Sequence, residues 1–206
     1  TSDVLGNVYV TGGSHGIGTS RDCTTVSYDS SGNERWVTRY NGPANGYDSG
    51  DAITIDSSGN IYVTGESYGI WTGSDYVTIS YDLSGNERWV ARYDGGLNSE
   101  DWPYALAIDS SGNIYITGAS LGIETSWDYA IVSYDSSGNE RWVARYNGLA
   151  NGDDKAYAIT IDPSGNIYVT GRSWSGIKLH YDYLTVSYDL AGNVRWMAEY
   201  NGPANG

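Results

Sequence analysis

A 53-residue repeat constrains the fold of this chain more than any other sequence feature. Gly-Asn followed by Val or Ile recurs at Gly6, Gly59, Gly112 and Gly165. Each copy continues with Tyr-(Val/Ile)-Thr-Gly and later carries Ser-Tyr-Asp and Arg-Trp. A period of this length is typical of a solenoid, a propeller or an array, in which each unit buries its apolar face against the next copy.

The second copy reads as four short strands joined by tight turns. Ala52 to Ile55 is a β-branched run that predicts a strand buried on both faces. The two Asp-x-Ser-Gly-Asn segments predict hairpin turns, in which Asp caps its own backbone and Gly adopts a positive φ. No segment has helical periodicity, and a β-solenoid usually has shorter coils without paired hairpin turns. The other predicted strands are 61–65, 75–81 and 87–93.

Four antiparallel strands form the blade of a β-propeller. The prediction is therefore an all-β fold, a β-propeller of four 53-residue, four-stranded antiparallel blades in a single domain over residues 1–206. The Trp and Tyr of the last strands are predicted to pack between blades. The approximate blades are 1–46, 47–99, 100–152 and 153–206, and the repeated aromatic positions are Trp36, Trp89, Trp142, Trp196, Tyr40, Tyr93, Tyr146 and Tyr200.

The closure of the ring has three possible forms. The first copy lacks the seven residues that match Tyr47 to Ile53. The chain could close as a four-bladed ring, combine with a second chain into eight blades, or belong to a longer array. An open arc leaves apolar blade faces in water. We therefore expect a four-bladed monomeric ring, with self-association as the alternative.

The repeated motifs resemble a known family. The run Ala-Ile-Thr-Ile-Asp-Ser-Ser-Gly-Asn-Ile-Tyr-Val-Thr-Gly at 52–65 and the later Tyr-Asp-x-Ser-Gly-Asn-Glu-Arg-Trp are similar to the SBBP-type β-propeller repeat of secreted and cell-surface prokaryotic proteins. The resemblance covers essentially the whole chain. It implies an extracellular or cell-surface setting and a scaffold or binding role, and it supplies no catalytic residues. Rings of this family usually have seven blades, whereas this chain has four copies.

Charge and composition narrow the class of partner. The formal net charge of −14 argues against nucleic acid, because phosphate binding needs clustered Lys and Arg. One cysteine, Cys23, excludes an internal disulfide and has no metal-binding or redox motif around it. No apolar run is long enough to insert into a membrane, and no signal peptide is recognisable.

Candidate binding residues lie where the copies differ. The turns between strands one and two and between strands three and four are nearly identical, whereas the loops at the opposite ends of the strands vary. All four non-repeated Trp residues fall in these variable segments, and large aromatics beside Asp and His suit carbohydrate stacking or a protein hot spot. The candidate ligand-binding residues are Tyr68, Trp71, Trp102, Trp127, Trp174, His180, Asp48 and Asp101.

Plainer interpretations stand beside these. The same Trp residues could simply cover the ends of a small core. Five-residue Asp-x-Ser-Gly-Asn turns cannot supply the six to eight ligands of Ca²⁺, so no metal and no other cofactor is expected. Neither His15 nor His180 lies in a metal-binding or triad pattern, and no catalytic residue is assigned.

The sequence favours a non-catalytic extracellular β-propeller that binds a glycan or a protein through its variable loop face. The alternative is a building block that assembles into a larger ring, a surface layer or a filament. A third possibility is an enzyme that acts on a polysaccharide.

Overall fold

The computed structural model describes residues 1–96, 98–176 and 180–202, and these residues form fifteen β-strands. The strands are β1 Val8–His15, β2 Arg21–Tyr28, β3 Glu34–Tyr40, β4 Asp48–Ile55, β5 Ile61–Gly69, β6 Gly73–Tyr81, β7 Glu87–Tyr93, β8 Asp101–Ile108, β9 Ile114–Leu121, β10 Trp127–Tyr134, β11 Glu140–Tyr146, β12 Lys155–Ile161, β13 Ile167–Trp174, β14 Tyr181–Tyr188 and β15 Val194–Tyr200.

The strands form four antiparallel sheets, which we call the first to fourth blades in chain order. The sheets are β1–β3, β4–β7, β8–β11 and β12–β15, each with sequential neighbours. The predicted all-β antiparallel fold is confirmed, but four strands in every blade is wrong for the first, which has three. In the described part of the first blade, residues 1–2 take the position of the missing innermost strand. Thr1 and Tyr9 exchange two backbone hydrogen bonds, and Ser2 and Val8 form an isolated β-bridge.

The chain divides into two compact units of two blades each. The first unit comprises Thr1–Asp94 and Asn98–Pro103, so it holds the first two blades and the first residues of β8. The second comprises the chain from Tyr104 onward together with Gly95 and Gly96. The single-domain prediction stays a prediction.

The Asp-x-Ser-Gly-Asn turns adopt the predicted geometry. In the turn after β6, the Asp82 carboxylate accepts the backbone N–H groups of Ser84 and Asn86 at 2.8 and 2.9 Å, and Gly85 has φ +84. The hydrogen bond from the Asn86 side chain, followed by that from its backbone, lowers the pKa of Asp82. These carboxylates therefore cap their own turns.

A polar chain inside the first three blades explains why Asp, Tyr and Arg recur together. In the third blade the Tyr115 hydroxyl donates to Asp109 at 2.8 Å, and Arg141 donates to the Tyr115 hydroxyl and to Ser133 at 3.0 and 3.1 Å. Arg141 is the extra residue of a β-bulge, since Ser133 pairs with Trp142 and Tyr134 with Glu140. The bulge turns the arginine toward the turn carboxylate of the first hairpin.

The core of the first unit is built from opposite faces of its two blades. Trp36 and Tyr40 of the first blade, with buried Tyr9 and Cys23, form a surface that we call the Trp face. It packs on an aliphatic face of the second blade that comprises Ile53, Ile55, Ile61, Val63, Val77, Ile79, Tyr81 and Val90.

The Trp36 indole is seated on a turn of the second blade. Its Nε1 donates to the Leu83 carbonyl at 3.0 Å, and a Cβ on Gly85 would lie 2.7 Å from Trp36 Cδ2. Only glycine therefore fits beneath the ring, and the packing role predicted for Trp36 is confirmed in this unit.

The second unit repeats this interface. The Trp face of the third blade carries Tyr115, Tyr129, Trp142 and Tyr146, and it packs on the aliphatic face of the fourth blade. Trp142 Nε1 donates to the Leu190 carbonyl at 3.0 Å, and a Cβ on Gly192 would lie 2.7 Å from the Trp142 ring.

Three predictions need correction. The run from Ala52 to Ile55 is half-buried rather than buried on both faces. The strands extend into the segments predicted as variable loops, so that only residues 70–72 separate β5 from β6. Trp196 and Tyr200 are 43% and 63% exposed, because no described blade of their own unit covers the Trp face of the fourth.

The glycine beneath the indole gives a direct test of the interface. Gly85→Ala adds a methyl group against Trp36, whereas Gly32→Ala changes an equivalent glycine at φ +85 with no atom within 4 Å of its Cβ position. In both variants the left-handed backbone lowers the free energy of unfolding by about 1–2 kcal/mol, because alanine disfavours this conformation. Overpacking against the Trp36 ring should lower the free energy of unfolding of Gly85→Ala by about 1–3 kcal/mol more. Urea unfolding measures both, and equal losses would contradict this seating of the indole.

Candidate functional site

Several strongly exposed apolar side chains lie at the tips of the hairpins between the second and third strands of a four-stranded blade, and at the matching hairpin of the first blade. The isoleucine that follows a repeated glycine is exposed by 106% at Ile17, 57% at Ile70 and 71% at Ile123. Beside Ile70, Trp71 is 87% exposed. We call these segments, residues 17–18, 70–71 and 123–124, the hairpin tips.

The second residue of each tip has a left-handed backbone. The φ angles are +80° at Gly18, 72° at Trp71 and 59° at Glu124. Glycine adopts this conformation freely, whereas other residues pay for it. Trp71 therefore combines backbone strain with almost complete exposure of its side chain, a combination that tends to occur at binding sites.

A polar network fixes the base of the second and third tips. In the second blade the Thr72 hydroxyl donates to Asp75 at 2.8 Å, and Arg92 pairs with the same Asp75 oxygen at 2.6 Å. Arg92 also donates to the Ser67 carbonyl at 2.8 Å and to the Tyr40 hydroxyl at 3.2 Å. Thr125, Asp128 and Arg145 repeat the arrangement in the third blade. These two tips are thus held on a rigid base, which lowers the entropy cost of binding.

Acidic and aromatic groups gather near the second tip. Burial, and then the charges of Asp51 and Glu100, raise the pKa of Glu66 to about 7. Glu100 accepts a hydrogen bond from the Trp102 indole at 3.1 Å, and its charge is the main cause of the raised pKa of Tyr68. At neutral pH Glu66 can hold a proton and act as a hydrogen-bond donor.

The second unit has a cationic counterpart. The Lys155 ammonium lies 4.4 Å from the centre of the Trp127 ring, and the Arg172 guanidinium lies 4.1 Å from that of Tyr181. Trp174 packs edge-on against Tyr181 with ring centroids 5.0 Å apart. Such contacts hold the aromatic rings in place through cation–π attraction.

The candidate carboxylates Asp48 and Asp101 are both fully buried at the starts of strands, not in inter-blade loops as predicted. Asp48 accepts the backbone N–H of Gly42 at 2.8 Å, and burial raises its pKa. The equivalent Asp154 accepts the Gly148 N–H at 2.6 Å. This repeated position therefore stabilises the chain between blades.

One group of carboxylates has metal-like spacing. Oxygen atoms of Asp75, Asp94 and Asp101 lie within 4.8 Å of one another. Asp94 stands where the other copies have Asn41, Asn147 and Asn201. Arg92 already supplies a positive charge 2.6 Å from Asp75, so this carboxylate is already paired with a cationic side chain.

The predicted site residues thus fall into several settings. Trp71 lies at a tip, with Tyr68 two residues from that tip in β5. Trp102 lies in β8 with Asp101, and Trp127 and Trp174 lie at strand ends in the second unit, all three Trp residues being half-buried. His180 is exposed just before β14. The sequence reasoning missed the tip isoleucines, although each follows a glycine that recurs in the repeat, and this Gly-Ile dipeptide was a visible signal.

The regular blades also leave shallow grooves beside their turns. A groove of about 440 Å³ in the first unit is lined by Val4, Leu5, Ile55 and Leu83 among others, and one of about 410 Å³ in the second by Ile161, Pro163 and Leu190 among others. Their repetition at equivalent turns makes them a consequence of blade packing. Among the described residues no helix is long and apolar enough to span a bilayer.

Comparison with protein families identifies the repeat. A beta-propeller repeat family, SBBP, matches residues 35–70, 91–123 and 142–178. The chain belongs to the SBBP family. The predicted resemblance is therefore confirmed, and the SBBP repeat accounts for the blades described above.

Two curated relatives match part of this SBBP chain. The regulatory protein FlaEY of Caulobacter vibrioides is 28% identical over 50% of this chain, and an uncharacterised WD repeat-containing protein of Acanthamoeba polyphaga mimivirus is 26% identical over 60%. This chain spans 12% and 10% of their respective lengths. A solved structure, described as the eukaryotic initiation factor, superposes with a TM-score of 0.48 at 12% identity, covering 95% of this chain and 42% of that one.

The raised pKa of Glu66 predicts a pH-dependent stability. Its folded pKa of about 7 exceeds its ordinary value of 4.5, so folding favours the protonated acid. This contribution is fully present below pH 4.5 and is lost as the pH rises through about 7. Glu66→Gln should therefore be more stable than the parent at pH 8 and about equal to it near pH 4.

Urea unfolding at a series of pH values measures this difference. Glu124→Gln, at the exposed third tip, is the matched control for the exchange of glutamate for glutamine. A parallel profile for Glu66→Gln and the parent would show that Glu66 is ionised in the fold.

Proposed function

We propose that this chain is a non-catalytic SBBP scaffold that binds a protein partner through its hairpin tips. The observation that carries the proposal is the repeated exposure of isoleucine at Ile17, Ile70 and Ile123, next to the exposed Trp71. A residue kept at one position in several copies normally has a packing role, yet these side chains pack against little in their own units. Contact with a partner gives the repeated isoleucine a role.

The chemistry of the tips favours a protein over a glycan. Aromatic rings stack on sugars, but a branched aliphatic side chain offers no flat surface for stacking and instead fits an apolar pocket. Trp71 supplies the type of residue that dominates binding energy at protein interfaces. A glycan remains the alternative ligand, supported by Trp71 together with Tyr68 and Trp102 near the carboxylates Glu66 and Glu100.

An extracellular or cell-surface location is part of the proposal and is supported by the SBBP membership of the chain. Enzymatic action on a polysaccharide is the competing class. Its best support is Glu66, whose raised pKa suits a general acid beside the neighbouring carboxylates Asp51 and Glu100. Turnover of a polysaccharide that is lost in Glu66→Gln would favour this class over the proposed one.

A second candidate role, assembly with further copies of the chain, is favoured by a different observation. All seven residues of β15 are exposed, including the Trp196 and Tyr200 side chains of the Trp face. In the first and third blades the equivalent side chains are covered by the next blade of the same unit.

The strain at Trp71 separates binding from stability. Trp71→Gly removes an exposed indole from a left-handed position, so the variant should unfold at the same urea concentration as the parent or at a higher one. Binding of a protein partner from the native cell-surface fraction should fall about 30-fold or more, as for other interface Trp residues. Isothermal titration with the purified partner measures the affinity.

Glu124→Gly is the matched control, since it makes the same backbone change at the third tip without removing an aromatic ring. It should keep more of the affinity than Trp71→Gly. Full binding by a triple variant, with Ile17, Ile70 and Ile123 each changed to Ser, would contradict a role for the tips. Binding of that triple variant to cell-surface glycans alone would identify the alternative ligand.

A further inference from the structure

The Trp face of the fourth blade has the geometry of a complete interface but lacks a partner blade within its unit. The rings of Tyr168 and Trp196 lie 5.9 Å apart at 45°. The equivalent pair Tyr9 and Trp36, which is covered by the second blade, lies 5.9 Å apart at 44°. The uncovered face is therefore already arranged as its covered equivalent is.

The exposure of this face is large for aromatic side chains. Trp196 is 43% exposed, Tyr200 63% and Tyr183 69%. Tyr146 and Trp142, their equivalents in the third blade, pack against the buried core of the second unit. An aromatic patch of this kind on a soluble surface usually marks an interaction site.

The aliphatic face of the first blade is the matching unoccupied surface. Val8, Val10 and Val37 are 39%, 43% and 44% exposed. They stand at the repeat positions of Ile61, Val63 and Val90, which cover the Trp face of the first blade. The same chain thus exposes one face of each kind.

The seat for an indole is also present on the first blade. Gly32 has φ +85, like Gly85 and Gly192, and no atom lies within 4 Å of its Cβ position. The other two glycines each lie beneath a tryptophan ring. Ser30, two residues before Gly32, occupies the position of Leu83, whose carbonyl accepts the hydrogen bond from Trp36.

We propose that the Trp face of the fourth blade binds the aliphatic face of the first blade of a second copy of this chain. Trp196 then lies on Gly32 of that copy, and its Nε1 donates to the Ser30 carbonyl. This inference rests on the assembly candidate and is independent of binding by the hairpin tips. The contact is head-to-tail, so it closes into a ring of chains or continues as a filament, according to the rotation between copies.

The second copy is the favoured occupant because the two faces already meet inside each unit. The pairing of the first with the second blade, and of the third with the fourth, uses the same residue types in the same register of repeat positions. The net charge of −14 opposes association of two copies, whereas the proposed faces are apolar. Added salt should therefore strengthen the assembly by screening this repulsion.

Sedimentation equilibrium of the full chain tests the proposal. The parent should form complexes of two or more chains as its concentration rises. Trp196→Ala should weaken the association about 30-fold or more, in line with a buried interface Trp. Trp71→Ala, at an exposed tip outside both faces, should assemble as the parent does.

Mixing two defective variants tests the head-to-tail geometry. Trp196→Glu destroys the face of the fourth blade, and Val10→Glu destroys the face of the first. Each variant alone should stay monomeric, whereas a mixture of the two should form a complex, because one intact interface remains between them. Circular dichroism of each variant should match the parent and shows that both are folded.

The opposing results are equally definite. Assembly by Val10→Glu alone would show that two copies meet through identical faces. A monomer in which Trp196 is protected from an aqueous quencher would show that the chain covers this face itself. A parent chain that stays monomeric with Trp196 exposed would overturn the proposal outright. If Trp71→Gly loses tip binding but still assembles, the assembly proposal is unaffected. If Trp196→Glu loses assembly but still binds through its tips, the tip-binding proposal is unaffected.

Discussion

The contact between a tryptophan ring and a turn glycine of the next blade is the interaction on which each unit depends. A single blade is a small antiparallel sheet with two apolar faces, and these faces need a neighbouring blade to cover them. The indole of Trp36 covers the turn at Gly85, and Trp142 repeats this at Gly192. The ring buries apolar area and its N–H is satisfied by a carbonyl, so one side chain provides both packing and register.

Local, repeated features of the fold could be predicted from the sequence. The Asp-x-Ser-Gly-Asn turns and the packing of Trp36 could be predicted because nearly the same residues occur at the same positions in every copy. The ends of the strands could not be predicted, since Asp48 and its Gly and Ser neighbours are typical of loops. Their strand is stabilised by a hydrogen bond from the Gly42 backbone, a contact that depends on the packed fold.

The candidate site was harder to predict because exposure does not show in the sequence. A search for residues that differ among copies found Trp71 but overlooked Ile17, Ile70 and Ile123, which recur and so resemble core residues. The cation–π contacts of Lys155 and Arg172 join strands of different hairpins or opposite sides of one hairpin, so they appear only after the strands pair. The pKa of Glu66 likewise depends on burial, which the sequence leaves open.

The fixed base beneath the second and third hairpin tips has an evolutionary consequence. The Thr–Asp–Arg network sets the backbone, and two chemically unrelated residues, Trp71 and Glu124, occupy the same left-handed position above it. Substitution at this point can therefore proceed without redesign of the sheet below. The repeat works as a display framework, on which new specificities can arise by point mutation or be selected in a laboratory library.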